Sequence, residues 1–179
     1  MRKQPNSYHC VVCGVNNDAG LKVRFYDTVN DDGRPELLAS FTARAIHQGY
    51  PGRLHGGLAT GILDETMGRA VNAGKDEGEE ITWGVAVELS TRFRQPVPLE
   101  TELTARGRIV RHRRRLFDGT GEIYLPDGTV AVSAEGRFVS LSLHEISEID
   151  PEELGWRVYP DGPDEATDRR ALPKRPGDD

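Results

Sequence analysis

Residues 47–71, HQGYPGRLHGGLATGILDETMGRAV, constrain the fold of this chain more than any other stretch. They hold the only long helical period in the sequence. The apolar positions Leu58, Ala59, Ile62, Leu63, Met67, Ala70 and Val71 have the spacing of one buried helix face. A second stripe runs beside it. Gly57, Gly61, Asp64 and Gly68 stand four, three and four residues apart, on one narrow line of the helix. Interior glycines cost about 1 kcal/mol each relative to alanine. Three of them flanking a carboxylate therefore imply a close approach, either tight packing of another backbone or access of a ligand to Asp64.

The flanks read as strands. Residues 21–28 (LKVRFYDT) and 36–42 (ELLASFT) alternate apolar and polar side chains around Asn30-Asp31-Asp32-Gly33, a hairpin pattern. Gly74 and the charged run after it end the helix. Beyond it, strict alternation puts Val85, Val87, Leu89, Thr91 and Phe93 on one strand face, with Glu88, Ser90, Arg92 and Arg94 on the other. Pro96 and Pro98 stop that strand. Residues 101–110, 116–125 and 130–141 complete the series, with Asp127-Gly128 as the turn between the last two. Two strands, one long helix and four strands without an intervening helix predict an α+β domain with an antiparallel sheet. Such a sheet leaves an open edge that invites a second copy of the chain.

A length of 179 residues fits one domain with tails. The folded domain is expected over 9–143. Residues 1–8 are a flexible lead, and 144–179 a charged, Pro/Gly-rich tail with too few apolar side chains to offset its ordering entropy. One apolar cluster in that tail (Leu154, Trp156, Val158, Tyr159) either folds back onto a subunit or stays mobile. A net charge of −6, from 23 Lys+Arg against 29 Asp+Glu, argues against a general nucleic-acid binder. No apolar run is long enough to span a membrane, and MRKQPNSYHC lacks the apolar core of a secretory signal. The expected location is the cytoplasm. The two cysteines lie in HCVVCG, His9 to Gly14. A closed zinc site needs four ligands, so His9 and a remote group, or a second chain, would have to complete this one. The reading taken is a buried, reduced pair that closes the N-terminal turn, with no metal.

Taken together, the chain resembles the hot-dog fold thioesterase superfamily, in particular acyl-CoA thioesterases of the phenylacetic-acid-pathway type. The resemblance rests on His55-Gly56-Gly57 with an acid, Asp64, nine residues after the histidine. CVVCGVNNDAGLKVRFY, TRFRQPVPLETEL and GTVAVSAEGRFVSL support it, so that it spans residues 10–143. It implies an antiparallel sheet wrapped around one long central helix, and a homodimer or homotetramer with each active site between two subunits. It also implies acyl-CoA as substrate, with neither metal nor organic cofactor. One departure stands out. Many members carry asparagine six residues before the histidine, where this chain has Gly49, preceded by His47 and Gln48.

The resemblance implies Asp64 as nucleophile or general base, and the Gly57 amide as the donor that polarises the thioester carbonyl, with Gly56 beside the substrate. Physical chemistry is consistent with this, because the first amides of a helix lack intrahelical partners and favour developing negative charge. His55 is expected to orient the loop, and His47 and Gln48 to hold the water or carbonyl or to bond within the loop. Glu65, about 100° around the helix, is expected in an ion pair. The basic run RHRRR, 111–115, offers cations for the phosphates of coenzyme A. On a strand Arg111, Arg113 and Arg115 would share a face, and Arg92 and Arg94 are the rival set. The alternative function is a module that binds acyl-CoA without cleaving it. A hydratase reading fits less well, since no histidine follows Asp64 in the helix.

Overall fold

The helical period folds as α1, Gly56–Arg69, and a single 3-10 turn at Ala70–Asn72 continues it. The structure is a computed structural model that describes residues 1–76, 78–148, 150 and 152–161. Ala59, Ile62, Leu63, Met67 and Ala70 are buried, as their spacing predicts, while Leu58 and Val71 pack at the core margin. The strands are β1 (Arg2–Lys3), β2 (Arg24–Val29), β3 (Pro35–Thr42), β4 (Trp83–Phe93), β5 (Glu102–Arg113), β6 (Leu116–Tyr124) and β7 (Val130–Leu141). They form one antiparallel sheet in the order β1-β2-β3-β5-β6-β7-β4. The chain leaves β3 in the first half of the sheet, runs through α1 and re-enters at the far edge as β4. One face of the sheet curves around α1, which packs on β3 through β7. This is the hot-dog architecture, an antiparallel sheet wrapped around a central helix.

The core between helix and sheet consists of Phe25, Leu37, Ala39, Phe41, Leu103, Ala105, Phe117, Ile123, Val132 and Phe138, with the apolar face of α1. Phe117 and Phe138 stack at 5.1 Å. The helix sits unusually close to β4. A Cβ on Gly68 would lie 2.8 Å from the Gly84 carbonyl oxygen, and a Cβ on Gly84 only 2.6 Å from Gly68 Cα. Any side chain at either position forces the backbones apart. Gly61 meets Val12 at ordinary contact distance. Two glycines of the stripe therefore face this chain's own elements, and Gly68 serves helix–sheet packing.

Two strand readings need correction. A bulge between Ala86 and Glu88 breaks the alternation in β4. Leu89, Thr91 and Phe93 pair with Gly136, Ala134 and Val132 on the α1 face, whereas Val85 pairs with Val139 on the other. Val85 and Leu89 thus do not share a face. The basic run is also split. Arg111 and Arg113 end β5, Arg114 turns with a φ of 54°, and Arg115 starts the return, bonded to Glu145. Arg115 does not continue the Arg111/Arg113 face.

Both chain ends pack more than their composition suggests. Residues 1–8, expected as a flexible lead, pair β1 with β2 and bury Gln4, Asn6 and Ser7. Asn6 donates to the carbonyls of Cys13 and Val23. The apolar cluster of the tail folds back. Arg157 bridges Asn6, the Tyr8 amide donates to Leu154 O, and Trp156 lies 4.6 Å from Trp83. Polar bonds to the N-terminal segment and two aromatic pairs, Trp83–Trp156 and Tyr8–Tyr159, hold it where charge alone would not. Residues 149, 151 and 162–179 of the expected tail lie outside the described residues.

Candidate active site

The loop before α1 is built by its own polar side chains. His55 is the N-cap, and its Nδ1 accepts from the Gly57 amide at 3.0 Å. His47 is buried, its Nδ1 accepting from the Arg44 amide at 2.9 Å and its Nε2 facing Ala19 O at 3.1 Å. Two backbone partners hold that ring as a structural post. Gln48 Oε1 accepts from the Gly52 amide at 2.7 Å, closing the turn at Tyr50-Pro51. Gly49 explains its own identity, because a Cβ there would stand 2.9 Å from His55 Cα. An asparagine does not fit this loop without moving His55.

Asp64 projects from the third turn of α1 into an open cavity of about 170 Å³. The cavity is also lined by Glu65, Arg69, Trp83, Val85, Leu143, Ile146 and Trp156. Its walls are chiefly apolar. Asp64 Oδ1 is buried without a hydrogen-bond partner. Burial, and next to it the charge of Glu65, push the Asp64 carboxyl up from 3.8 to about 6. A carboxylate so placed is under-solvated and basic, poised to take a proton from water or to attack a carbonyl. One turn back on α1, Thr60 lies 3.4 Å from Thr91 of β4, hydroxyl to hydroxyl.

Within one chain the candidate arginines are elsewhere. Arg92 and Arg94 line a polar hollow of about 260 Å³ with Arg108, Glu122 and Glu135, and Arg92 pairs with Ser133 on the sheet face away from α1. Arg111 and Arg113 line another, of about 210 Å³, with Asp118 and Arg137. None of the four lines the cavity of Asp64.

Sequence reasoning missed Arg69, the cation at this cavity. It is 2% exposed, with its guanidinium 4.3 Å from the Phe25 ring, 4.7 Å from Trp83 and 5.4 Å from Trp156. It donates to Pro5 O at 2.7 Å and to Cys13 Sγ at 3.3 Å, and pairs with Glu65 at 3.3 Å. The i, i+4 spacing of Glu65 and Arg69 was the available signal. Trp83 and Trp156 gave none, since their contact joins residues 73 positions apart.

The model of the thioesterase superfamily matches residues 51–132, which contain α1 and Asp64. A solved thioesterase superfamily protein is 34% identical over 73% of this chain, with a TM-score of 0.60; the chain spans 63% of that protein. A Bacillus halodurans protein solved with CoA is 25% identical, covering 65% of this chain and 73% of its own, with a TM-score of 0.52. A phenylacetic acid degradation-related protein from Ralstonia eutropha shares the fold at 21% identity, covering 64% of this chain and 83% of its own, with a TM-score of 0.53. No protein of curated function matches. Among the described residues no helix is long and apolar enough to cross a membrane. With its sheet order and its enclosed helix the chain has the hot-dog fold, and its residues 51–132 match the thioesterase superfamily.

Proposed function

We propose that the protein hydrolyses an acyl-CoA thioester, with Asp64 acting as nucleophile or as general base on water. The observation that carries this reading is the unpartnered Asp64 carboxylate, raised to about 6 inside an apolar-walled cavity. The thioesterase family and the CoA held by the Bacillus halodurans relative support the substrate class. The acyl group goes against Trp83, Trp156, Leu143 and Ile146. Gly57 lies about 10 Å along α1 from Asp64 and outside its cavity. Its amide, once the His55 ring turns off it, therefore polarises a carbonyl presented to the Asp64 of the other subunit, while Gly56 packs against the Phe93 ring.

In this reading the working unit is a dimer. A cavity of about 170 Å³ is small against the roughly 300–1,000 Å³ of ordinary ligand sites. The edge strand β4 also exposes Val85, Val87 and Phe93, and the loop before α1 exposes Ile46 and Tyr50. A second chain covers these groups and completes the pocket. The CoA phosphates then meet arginines of the other subunit, drawn from Arg92, Arg94, Arg111 and Arg113, because Arg69 is already committed within its own chain. The test is thiol release from a panel of acyl-CoAs by wild type and Asp64→Asn, with light scattering alongside. Turnover lost in the variant and a dimer in solution are expected. Equal turnover removes Asp64 from the mechanism, and a fully active monomer removes the shared pocket.

Two observations favour the second reading, binding without cleavage. The Gly57 amide is occupied by His55, and Gly49 stands where many relatives carry asparagine. Tight calorimetric binding with the acyl-CoA intact after long incubation selects that reading.

A further inference from the structure

The sequence offers His9 beside the two cysteines of HCVVCG and leaves a remote ligand to be found. The fold supplies that remote ligand. Cys10 Sγ, Cys13 Sγ and a Glu65 carboxylate oxygen all lie within 4.8 Å of one another, the only such group among the described residues. Cys10 Sγ is 3.0 Å from Glu65 Oε1. Ligands at about 2.0–2.3 Å from a tetrahedral zinc ion sit roughly 3.5–4 Å apart, so small side-chain movements suffice to close this set on an ion.

The backbone gives a second, independent sign. The amides of Val12 and Cys13 both point at Cys10 Sγ, at 3.2 and 3.4 Å. Consecutive N–H groups aimed at one sulfur are placed to donate to the thiolate that forms when a metal displaces its proton, the form in which cysteine binds metal. The turn that aims them is tight. The Gly14 amide donates to Cys10 O at 2.9 Å, and a Cβ at position 14 would lie 2.4 Å from that oxygen. Behind the ligands, Arg69 holds both Cys13 Sγ and Glu65 Oε2 at 3.3 Å, as an outer partner that orients ligating groups. His9 is exposed and packs its ring against Tyr8, outside the set.

We propose that Cys10, Cys13 and Glu65 form a binding site for a thiophilic divalent cation of the zinc class, clamping the N-terminal turn to α1. Two thiolates and a carboxylate make a mixed sulfur–oxygen site that suits zinc over magnesium or calcium. With Arg69 as the fourth charge, the loaded cluster has zero formal charge. The metal-free cluster, with both thiols protonated, is neutral as well. Loading exchanges two thiol protons for one cation without adding buried charge. Three protein ligands leave the fourth position to water or a small anion. Cys10 is only partly buried, so an ion has a path in. This site does not rest on the thioesterase reading.

The test uses tag-free full-length protein, reduced with a phosphine and titrated with cobalt(II), then zinc(II). Expected are one cobalt per chain with sulfur-to-cobalt charge-transfer absorption, bleaching of that band by zinc, and protection of both thiols from alkylation by zinc alone. Cys10→Ser and Cys13→Ser lose the band. Glu65→Gln, which keeps shape and circular dichroism, binds at least about tenfold more weakly. The wild-type titration stands even where a cysteine variant fails to fold. No band while both thiols react freely overturns the proposal. So does a Cys10–Cys13 disulfide whose reduction restores no metal uptake, because the pair is then a redox couple. Equal affinity in Glu65→Gln removes the ligand on which the site depends.

Discussion

Asp64 and Glu65 are neighbours in sequence and opposites in circumstance. Glu65 turns toward the N-terminal segment, where Cys10 donates to one oxygen and Arg69 pairs with the other. Asp64, one residue earlier, turns toward the cavity under β4 and the tail, with a buried oxygen that nothing satisfies. A rotation of about 100° along the helix separates the two environments. On one flank a carboxylate is held by a thiol at one oxygen and by an ion pair, without a hydrogen bond, at the other. On the other a carboxylate is left under-solvated, which costs stability and makes it reactive. Partnership, more than residue type or burial, separates the structural acid from the one proposed to do the chemistry.

Breaking each flank should give opposite results. Asp64→Asn removes the reactive group and is expected to lower kcat by about 10²–10⁴-fold, the range for a lost general base. The same variant relieves the desolvated charge and should be slightly more stable near neutral pH, by about 0.5–1 kcal/mol in urea unfolding. Arg69→Met leaves Glu65 without its cation and Pro5 O without its donor, and should destabilise the fold by about 3 kcal/mol. A variant at Asp64 that loses stability and activity together would erase the contrast.

The contrast also has a pH signature. The folded-state pKa of Asp64 is raised, from 3.8 to about 6, so the folded protein holds that proton more tightly than the unfolded chain. Its contribution to stability is full below about 3.8 and is lost as pH rises through about 6. Under the proposed function activity runs the other way, since the proposal gives the chemistry to the deprotonated acid. The kcat/KM profile should rise with unit slope to a midpoint near 6 and then level off. Stability curves of wild type and Asp64→Asn should diverge over the same interval. Parallel curves through it would show that Asp64 is ordinarily solvated.

Much of this was legible in the chain. The period of Leu58, Ala59, Ile62, Leu63, Met67 and Ala70 located α1 and its buried face, and the strand patterns placed six of the seven strands. HGG with an acid nine residues on pointed to Asp64 before any geometry. What stayed hidden depends on contacts distant in sequence, or on a single misplaced residue. The bulge at Val87 shifts the parity of β4 without altering its composition. β1 has two residues, too few for any pattern, and is held by pairing with β2. Arg69 has no signature in the sequence as a buried cation because its three aromatic partners come from three separate elements. Gly68 fits backbone packing and ligand access equally until Gly84 is found lying against it.

The smallest expected effect concerns Trp156, which roofs the open flank. Its ring lies tilted against Trp83 at 4.6 Å, shares the Arg69 guanidinium and lines the cavity of Asp64, yet arrives from beyond the matched region 51–132. The site therefore borrows a wall from the tail. Trp156→Ala removes one ring of an aromatic pair at a half-exposed position and should cost about 1 kcal/mol of stability. Its larger consequence is functional. If the acyl group rests on this wall, KM should rise several-fold for large apolar acyl groups and stay nearly constant for acetyl-CoA, with kcat kept because Asp64 is untouched. Trp156→Phe should recover most of the loss, since a flat apolar ring remains. A uniform change across acyl sizes would make Trp156 a brace for Arg69 instead of a wall of the pocket. The contrast between the flanks would then end at Asp64 itself.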